Sequence, residues 1–379
     1  MAQDAYHKLA RHLDGLPGGF PPTPDGVELR ILKRLFTPDQ AELATKLTLI
    51  PETAAVIARR AGLDPAEAGR RLEEMASQGL VFRYEHQGQA WYMASQYVIG
   101  IWEYQVNKLD PELIADMRAY IPTLFDMRAW QKAPQLRTIP VQRSLAARHE
   151  VLPYEQAEEL VRGQRKILVA PCICRREHAI TGEACGKPEE ACLVFGLGVD
   201  YYEKNGLGRR ITAEEAIDIL KQADKAGLVL QPSNSQKIMN ICCCCGCCCH
   251  VLKSMKRHPR PAELAASPFT ARLDADKCTG CGLCLKRCQM EALRLVGQDK
   301  KDRKAVLDGE RCIGCGLCVT TCPAQALELA RKPAPPAVPK SVQASYLKLG
   351  RARGKLGAAD LAWMALKSKV DRLLAGRGQ

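Results

Sequence analysis

Apolar residues recur at helical spacing in four segments near the start of the chain, and two short apolar runs follow them. The four segments, residues 27–36, 39–47, 52–61 and 65–78, predict helices. Asp39 and Asp64 fit the N-cap positions of the second and fourth helices, and Gly79 ends the fourth. The runs at 80–84 and 90–93 flank Gln87-Gly88-Gln89, a pattern typical of a β-hairpin.

The hydrophobic pattern changes after the hairpin. Residues 97–164 predict a mostly helical segment, and its aromatic residues are core candidates: Trp102, Tyr104, Tyr120, Phe125 and Trp130. A capping box at 212–215 begins a helix that Gly227 closes, and residues 228–231 and 237–243 predict strands. A last, basic helix is predicted over 358–374, after a Pro-rich linker.

The helices and hairpin of residues 27–93 resemble a winged-helix domain. A DNA-binding version would place residues 65–78 in the major groove. The charges there sum to −1, and residues 27–93 hold nine basic and nine acidic residues. Because DNA affinity comes largely from neutralising phosphates, this balance favours a protein-docking or dimerising domain over a nucleic-acid partner.

Nineteen cysteines, all between Cys172 and Cys322, stand in tight groups. The first residues include no apolar signal segment, so we expect a reducing cytoplasmic location and metal binding rather than disulfides. No apolar run approaches the ~18 residues of a membrane span. The net charge of +13 is concentrated after residue 330, where a basic tail could contact an acidic partner or an anionic membrane surface.

An internal repeat contains eight of the cysteines. Residues 277–295 align with 311–329 at an offset of 34, and both copies have the spacing C-x2-C-x2-C-x3-C. Three thiolates two residues apart can wrap three corners of a [4Fe-4S] cube, whereas the fourth cysteine does not easily reach the same cube. Structural zinc would instead require two C-x2-C pairs separated by a longer loop.

Residues 270–331 resemble the domain of bacterial two-cluster ferredoxins. The resemblance implies that the fourth cysteine of each repeat binds the cluster of the other repeat. One cluster would take Cys278, Cys281, Cys284 and Cys322, and the other Cys312, Cys315, Cys318 and Cys288. Gln289 stands where the family pattern has proline.

The other eleven cysteines lie in the centre of the chain. They are Cys172, Cys174, Cys185 and Cys192, and then Cys242, Cys243, Cys244, Cys245, Cys247, Cys248 and Cys249. In an extended strand Cys242 and Cys244 face one side, and Gly246 permits a turn that brings the last three thiols to a common site. The pattern, with Pro171–Arg175, resembles a family of multidomain 4Fe-4S ferredoxin-like proteins. That family usually has Asn at the position of Cys243, which implies that Cys243 is the central thiol least expected to be an essential ligand and leaves the ten others as candidate metal ligands.

Three uses of the central thiols stay open from the sequence. A further iron–sulfur cluster fits the number of thiolates, and a structural zinc could be held by Cys172, Cys174, Cys185 and Cys192. Redox-active thiols, with pKa values lowered by Arg175, Arg176 or His178, are the third use. His250, next to the last cysteine, is a candidate ligand.

The sequence therefore predicts an α+β iron–sulfur protein. Its segments are a winged-helix-like domain (1–95), a helical connector (96–165), a Cys-rich metal-binding region (166–262) in a mostly helical middle, a two-cluster ferredoxin domain (263–332) and a linker with a tail helix (333–379). We expect electron transfer with a redox protein of the oxidoreductase or electron-transfer flavoprotein type. A redox- or metal-sensing transcription regulator, and an enzyme with substrate chemistry at the central cysteines, are the alternatives.

Overall fold

The computed structural model describes residues 2–145, 151–152, 155–299 and 302–375, which fall into two units. The first unit contains the residues up to Asp126, Asp200–Leu207 and the residues from Tyr346 onward. The second contains Met127–Val199 and Gly208–Ser345, and therefore all nineteen cysteines. Both helices and strands are present, in agreement with the predicted α+β class.

Six helices and one hairpin form the N-terminal part of the first unit. They are α1 (Ala2–Gly15), α2 (Val27–Leu35), α3 (Pro38–Ala44), α4 (Ala54–Ala61), α5 (Pro65–Ser77), β1 (Phe82–His86), β2 (Gln89–Met93) and α6 (Pro111–Leu124). The four predicted helices and the hairpin are confirmed, and α1 is an additional helix. The predicted cap Asp39 is wrong, because Thr37 and Gln40 form a reciprocal capping box that starts α3 two residues earlier. Asp64 does cap α5 by accepting bonds from the N–H groups of Ala66 and Glu67.

Aromatic residues form much of the core of the first unit. The ring of Phe20 packs edge-on against Tyr97 and Tyr120, at 4.8 and 5.0 Å between ring centres. The Tyr120 hydroxyl donates to the carbonyl of Pro21 at 2.9 Å. The rings of Tyr97 and Tyr120 are thus fully buried beside Phe20 without leaving the Tyr120 hydroxyl unpaired.

The predicted mostly helical segment 97–164 is only partly helical. It contains α6, α7 (Met127–Lys132) and α8 (Ala157–Arg162), but the residues from Pro134 to Val141 are extended. Pro134 and Pro140 break helical hydrogen bonding, and the stretch between them bridges to residues of the central sheet, Leu136 to Ser233 and Ile139 to Leu230.

The middle of the chain is built on a sheet, so the prediction of a mostly helical middle is wrong. The strands are β3 (Ile167–Pro171), β4 (Glu190–Phe195), β5 (Arg209–Arg210), β6 (Val229–Pro232) and β7 (Asn240–Cys244), in the order β5-β3-β4-β7-β6 with all neighbours antiparallel. Buried apolar residues such as Val169 and Leu193 favour these strands over helices. The helices of this region are α9 (Ile173–Ile180), α10 (Leu197–Lys204), α11 (Ala213–Lys225), α12 (His250–Arg257) and α13 (Pro261–Leu264).

The two cysteine repeats form a small domain, called here the repeat domain (residues 269–331). Its elements are β8 (Phe269–Leu273), α14 (Leu283–Arg287), β9 (Leu293–Val296), β10 (Lys304–Leu307) and β11 (Leu327–Arg331). β8 pairs with β11 and β9 pairs with β10, both antiparallel. The offset of 34 residues relates β8 to β10 and β9 to β11. Each two-stranded sheet therefore combines a strand that precedes the cysteines of one repeat with a strand that follows the cysteines of the other.

Two C-terminal helices, α15 (Val342–Ala352) and α16 (Ala358–Ala375), complete the description. The predicted tail helix is confirmed, and it packs on α4 of the first unit. Ser368 donates to the Glu52 carboxylate at 2.6 Å, and Asp371 pairs with Arg60 at 2.5 Å. Among the described residues, no helix combines the length and apolar character needed to cross a bilayer.

The buried pair Glu52–Arg60 joins α4, α16 and the hairpin. Its side chains are 1% and 6% exposed, and Glu52 also exchanges backbone hydrogen bonds with Tyr92. We expect Glu52→Gln to lower the free energy of unfolding by about 3 kcal/mol, because it leaves a buried guanidinium without its main counter-charge. Chemical denaturation followed by tryptophan fluorescence measures this. The control Glu67→Gln, which breaks an exposed pair with Arg70, should cost less than about 1 kcal/mol, and equal losses would contradict the account.

Candidate metal centres

Two cavities in the repeat domain each have four cysteines in their walls. The first is lined by Cys278, Cys281, Cys284 and Cys322. The second is lined by Cys288, Cys312, Cys315 and Cys318. Each cavity therefore takes three cysteines from one repeat and the fourth from the other, which are the two sets that the resemblance implies. Ligation by these eight residues stays a prediction.

Backbone amides point at the cysteine sulfurs in a pattern that repeats at the offset of 34. The N–H groups of Ala292 and Ala326 donate to Cys288 and Cys322 at 3.2 and 3.3 Å. Two further bonds cross between the repeats: Ala271 N–H donates to Cys312 and Ala305 N–H to Cys278, both at 3.3 Å. Such amides stabilise negative charge on sulfur, as a cluster bound by four thiolates requires.

Small and apolar side chains complete both cavities. Ala271, Ala292 and Leu293 line the second cavity, and Leu273, Ala305 and Leu327 line the first. Burial raises the pKa of Cys315 to about 12, and it also raises the pKa of Cys318 well above its usual value. Because a metal binds the thiolate, loading of the second site must release these protons. The four cysteines and the small apolar side chains of each cavity fit an iron–sulfur cluster.

Gln289 connects the second cavity to the central cysteines. It follows Cys288 directly, its side-chain oxygen accepts from Gly246 N–H at 2.8 Å, and a Cβ at Gly246 would lie 2.4 Å from its carbonyl oxygen. The turn predicted at Gly246 is present, with Cys249 N–H bonded to the carbonyl of Cys245. The backbone of Gly246 is not left-handed, so its conformation does not require glycine. Glycine is required because Gln289 approaches so closely that a side chain would not fit.

Four central cysteines form a compact set, called here the four-thiol group: Cys185, Cys245, Cys247 and Cys248. Their sulfurs all lie within 4.8 Å of one another, and those of Cys247 and Cys248 are 3.8 Å apart. Cys185 comes from the loop between α9 and β4, and the other three come from the turn after β7. Within the part of the chain that the structure describes, no other set of three or more such ligands is this compact.

Six other cysteines form the six-thiol group: Cys172, Cys174, Cys192, Cys242, Cys244 and Cys249. Side-chain hydrogen bonds link them in a row, Cys192 to Cys242, then to Cys244, Cys249, Cys174 and Cys172. Cys192 of β4 lies opposite Cys242 of β7 in the sheet. Cys172 and Cys249 each stand directly before a helix, α9 and α12.

Hydrogen bonds inside the six-thiol group shift the pKa values of its members in opposite directions. Bonds from Cys192 and Cys244 lower the pKa of Cys242 well below its usual value, and bonds from Cys174 and Cys244 do the same for Cys249. The pKa of Cys244 is raised well above its usual value, because it is hydrogen-bonded to Cys242 and Cys249. The group can therefore offer thiolates to a metal, since the thiolate is the form that ligates.

Cys243, which the sequence set apart from the candidate ligands, and the candidate His250 both lie outside the two groups. Cys243 takes no part in the hydrogen bonds that link the ten other central cysteines, and burial raises its pKa to about 12. His250 Nε2 lies 2.7 Å from the carboxylate of Glu177, which is fully buried. The candidate zinc set is also divided, because Cys185 belongs to the four-thiol group whereas Cys172, Cys174 and Cys192 belong to the six-thiol group.

The buried Arg175 lies between the two thiol groups. Its side chain donates to the carbonyl of Cys243 at 3.0 Å and lies 3.8 Å from the sulfur of Cys245. Burial opposes its charge, but the negative charges of Cys172 and Cys245 raise its pKa. The sequence suggested that Arg175 could influence the thiols, and the structure places it beside them. The sequence pattern did not predict that Gln289 approaches Gly246 or that Cys185 lies with Cys245, Cys247 and Cys248.

A comparison with protein families agrees with this geometry. The family model described as the 4Fe-4S dicluster domain matches residues 271–329. Comparisons with curated proteins and with solved structures find no match to the chain. The matched segment covers the repeat domain, and with the central cysteine cluster it makes this chain a metal-binding, iron–sulfur protein.

The crossing of the fourth cysteines can be tested by combining substitutions. Cys278→Ser and Cys322→Ser should each remove one cluster, about four irons per chain, and their combination should remove no more. Cys278→Ser with Cys288→Ser should remove about eight, because the two residues line different cavities. Anaerobic iron and acid-labile sulfide analysis measures this. Loss of both clusters in the Cys278/Cys322 pair and of one in the Cys278/Cys288 pair would show uncrossed ligation.

Gly246→Ala should loosen the contact between the repeat domain and the central turn. The new methyl group would meet the backbone oxygen of Gln289, and overpacking of this kind costs about 1–3 kcal/mol. The matched control is Gly309→Ala, where a Cβ meets no atom within 4 Å and the backbone is not left-handed. Thermal unfolding of the anaerobically purified holoprotein should show a lower Tm for the first variant only. A similar Tm for both variants would contradict the contact.

Proposed function

We propose that this protein carries single electrons to or from an oxidoreductase partner through two [4Fe-4S] clusters in the repeat domain. The observation that carries the proposal is the pair of cavities, each lined by four cysteines, in the segment that the dicluster model matches. When bound, the clusters supply reversible one-electron chemistry. The protein's own residues hold the cofactors, set their surroundings and determine which side a partner can approach.

The first cavity lies at the more exposed end of the repeat domain. Cys281 is exposed, and the neighbouring Leu283 is 41% exposed. At the second cavity Cys312 and Cys318 are buried. A redox protein that docks over Cys281 and Leu283 would therefore come closest to the first site, which supports entry or exit of electrons at this end.

The second cavity lies at the end of the repeat domain that faces the central cysteines. Cys288 is followed by Gln289, whose side chain and carbonyl both meet Gly246 in the turn of the central cysteines. Arg287, just before Cys288, donates to the Asp224 carboxylate at 2.9 Å and to the Lys225 carbonyl at 2.8 Å, which fixes this end against α11. These contacts support a route from the exposed first site, past Cys288, to a further metal centre at the central cysteines.

The surroundings of the two cavities differ in ways that separate their potentials. Lys304 donates from its ammonium group to the Cys278 carbonyl at 2.7 Å and so brings a positive charge to the first site. The second site is more buried and lacks the exposed cysteine of the first. Lys332 brings a positive charge to Cys312 of the second site as well, so the difference lies in solvent exposure. Because exposure favours the reduced, more negative cluster, we expect the higher potential at the first site.

The winged-helix-like part supports a docking role better than a regulatory one. In α5, Arg70 and Arg71 both pair with Glu67, at 2.7 and 2.6 Å. Arg83 of the hairpin pairs with Glu73 at 3.2 Å. The basic groups of α5 and the hairpin that could contact DNA phosphates are engaged in ion pairs within the domain, which argues for a protein partner.

Electron uptake by two neighbouring clusters has a spectroscopic signature. Anaerobic reduction with dithionite should bleach the visible absorbance and give an EPR spectrum with the broadening and splitting of two interacting spins. Cys288→Ser, which removes a residue of the second site only, should remove the splitting from the signal of the first site. Two non-interacting signals in the unaltered protein, or a chain that takes up no electrons, would contradict the proposal.

A further inference from the structure

The spacing of the four-thiol group fits a single metal ion. Four thiolates at about 2.3 Å from one tetrahedral ion have sulfurs about 3.8 Å apart. The sulfurs of Cys185, Cys245, Cys247 and Cys248 all lie within 4.8 Å of one another, and one pair is at 3.8 Å. The eight cysteines of the repeat domain, which line the two cavities, form no such compact set among the described residues. The four-thiol group therefore fits an occupant smaller than an iron–sulfur cluster.

The six-thiol group is wider. No three of these described side chains are compact enough to share one ion in the way of the four-thiol group. Cys192 lies in β4, Cys242 and Cys244 lie in β7, and the other three lie at the N-terminal ends of α9 and α12. Each helix has eight residues, and its N-terminal end adds positive potential beside Cys172 or Cys249. This arrangement suits an occupant with several metal ions and negative charge.

Arg175 gives independent evidence for an anionic occupant. The residue is 4% exposed, and its Nε and Nη2 atoms are buried without a hydrogen-bond partner among the described residues. Leaving charged donors unpaired in the interior costs several kcal/mol unless another group accepts from them. The guanidinium lies 3.8 Å from the sulfur of Cys245 in the four-thiol group, and it also interacts electrostatically with Cys172 and Cys244 of the six-thiol group. A cluster of iron and sulfide held by thiolates supplies the required acceptors and charge.

We propose that the central cysteines form two separate metal sites. The four-thiol group binds one zinc or iron ion, and the six-thiol group binds an iron–sulfur cluster, with Arg175 as the buried positive charge between the two sites. The two sites adjoin at Cys244–Cys245 and at Cys248–Cys249, where neighbouring residues belong to different groups. The proposal goes beyond electron transfer by the repeat domain and does not depend on it.

Stoichiometry distinguishes the two sites, because a single ion brings no sulfide whereas a cubane cluster brings one sulfide per iron. In the full chain purified anaerobically, iron plus zinc should exceed acid-labile sulfide by about one, and sulfide should exceed the eight of the repeat domain by about four if the cluster is a cubane. Equal amounts of metal and sulfide would overturn the single-ion site. Sulfide of eight or less would overturn the third cluster.

Substitutions assign each site to its residues. Cys185→Ser should lose about one metal ion and no sulfide, whereas Cys174→Ser should lose sulfide and iron in equal amounts, about four of each for a cubane. Arg175→Gln should lose the same cluster as Cys174→Ser. Cys243→Ala, a buried neighbour outside both groups, is the matched control and should change neither number. Loss of sulfide in Cys185→Ser, or loss of both occupants in every variant including Cys243→Ala, would show one shared site.

Spectroscopy of the unaltered protein keeps the test independent of how the variants fold. If the ion is zinc, X-ray absorption at the zinc edge should show one metal with four sulfur ligands at about 2.3 Å and no neighbouring metal. If the ion is iron, Mössbauer spectra should show one iron that is not part of a cluster. A metal neighbour at that edge, or the absence of any non-cluster metal, would overturn the proposal. The eight sulfides of the repeat domain serve as the internal standard for folded chains.

Discussion

The exchange of cysteines between the two repeats is the constraint on which the repeat domain depends. Cys322 lies with the three earlier cysteines of the first repeat, and Cys288 with those of the second. The amides follow the same exchange, because Ala271 donates to Cys312 and Ala305 donates to Cys278. Neither repeat can complete a site by itself, so folding of the domain and binding of its cofactors are coupled.

The same constraint continues into the centre of the chain. Many thiolates can be held close together only where positive charge or hydrogen-bond donors offset their repulsion. In the centre these are the buried guanidinium of Arg175 and the helices that begin after Cys172 and Cys249. The contact of Gly246 with Gln289 places the central turn against the residue that follows Cys288. Gln289, which lines the second cavity, therefore also contacts the turn that contains the central cysteines.

The sequence could predict the parts that depend on local pattern. The repeat at an offset of 34, the cap at Asp64 and the tail helix all follow from short-range spacing, and the structure contains each of them. The division of the central cysteines depends on which loop reaches which turn, and Cys185 joins Cys245 across sixty residues of chain. The extended run near Pro134 pairs with a sheet whose β4 had no clear sequence pattern. Contacts between distant segments decide these features, so spacing along the chain does not reveal them.

The most direct test of the whole account is the number of electrons that one chain accepts in an anaerobic titration with dithionite, followed by EPR. Two clusters in the repeat domain and one in the six-thiol group predict about three electrons per chain, with the third signal lost in Cys174→Ser and kept in Cys243→Ala. Two electrons would confine electron transfer to the repeat domain and contradict the route to the centre. One or none would contradict the paired sites on which the account rests.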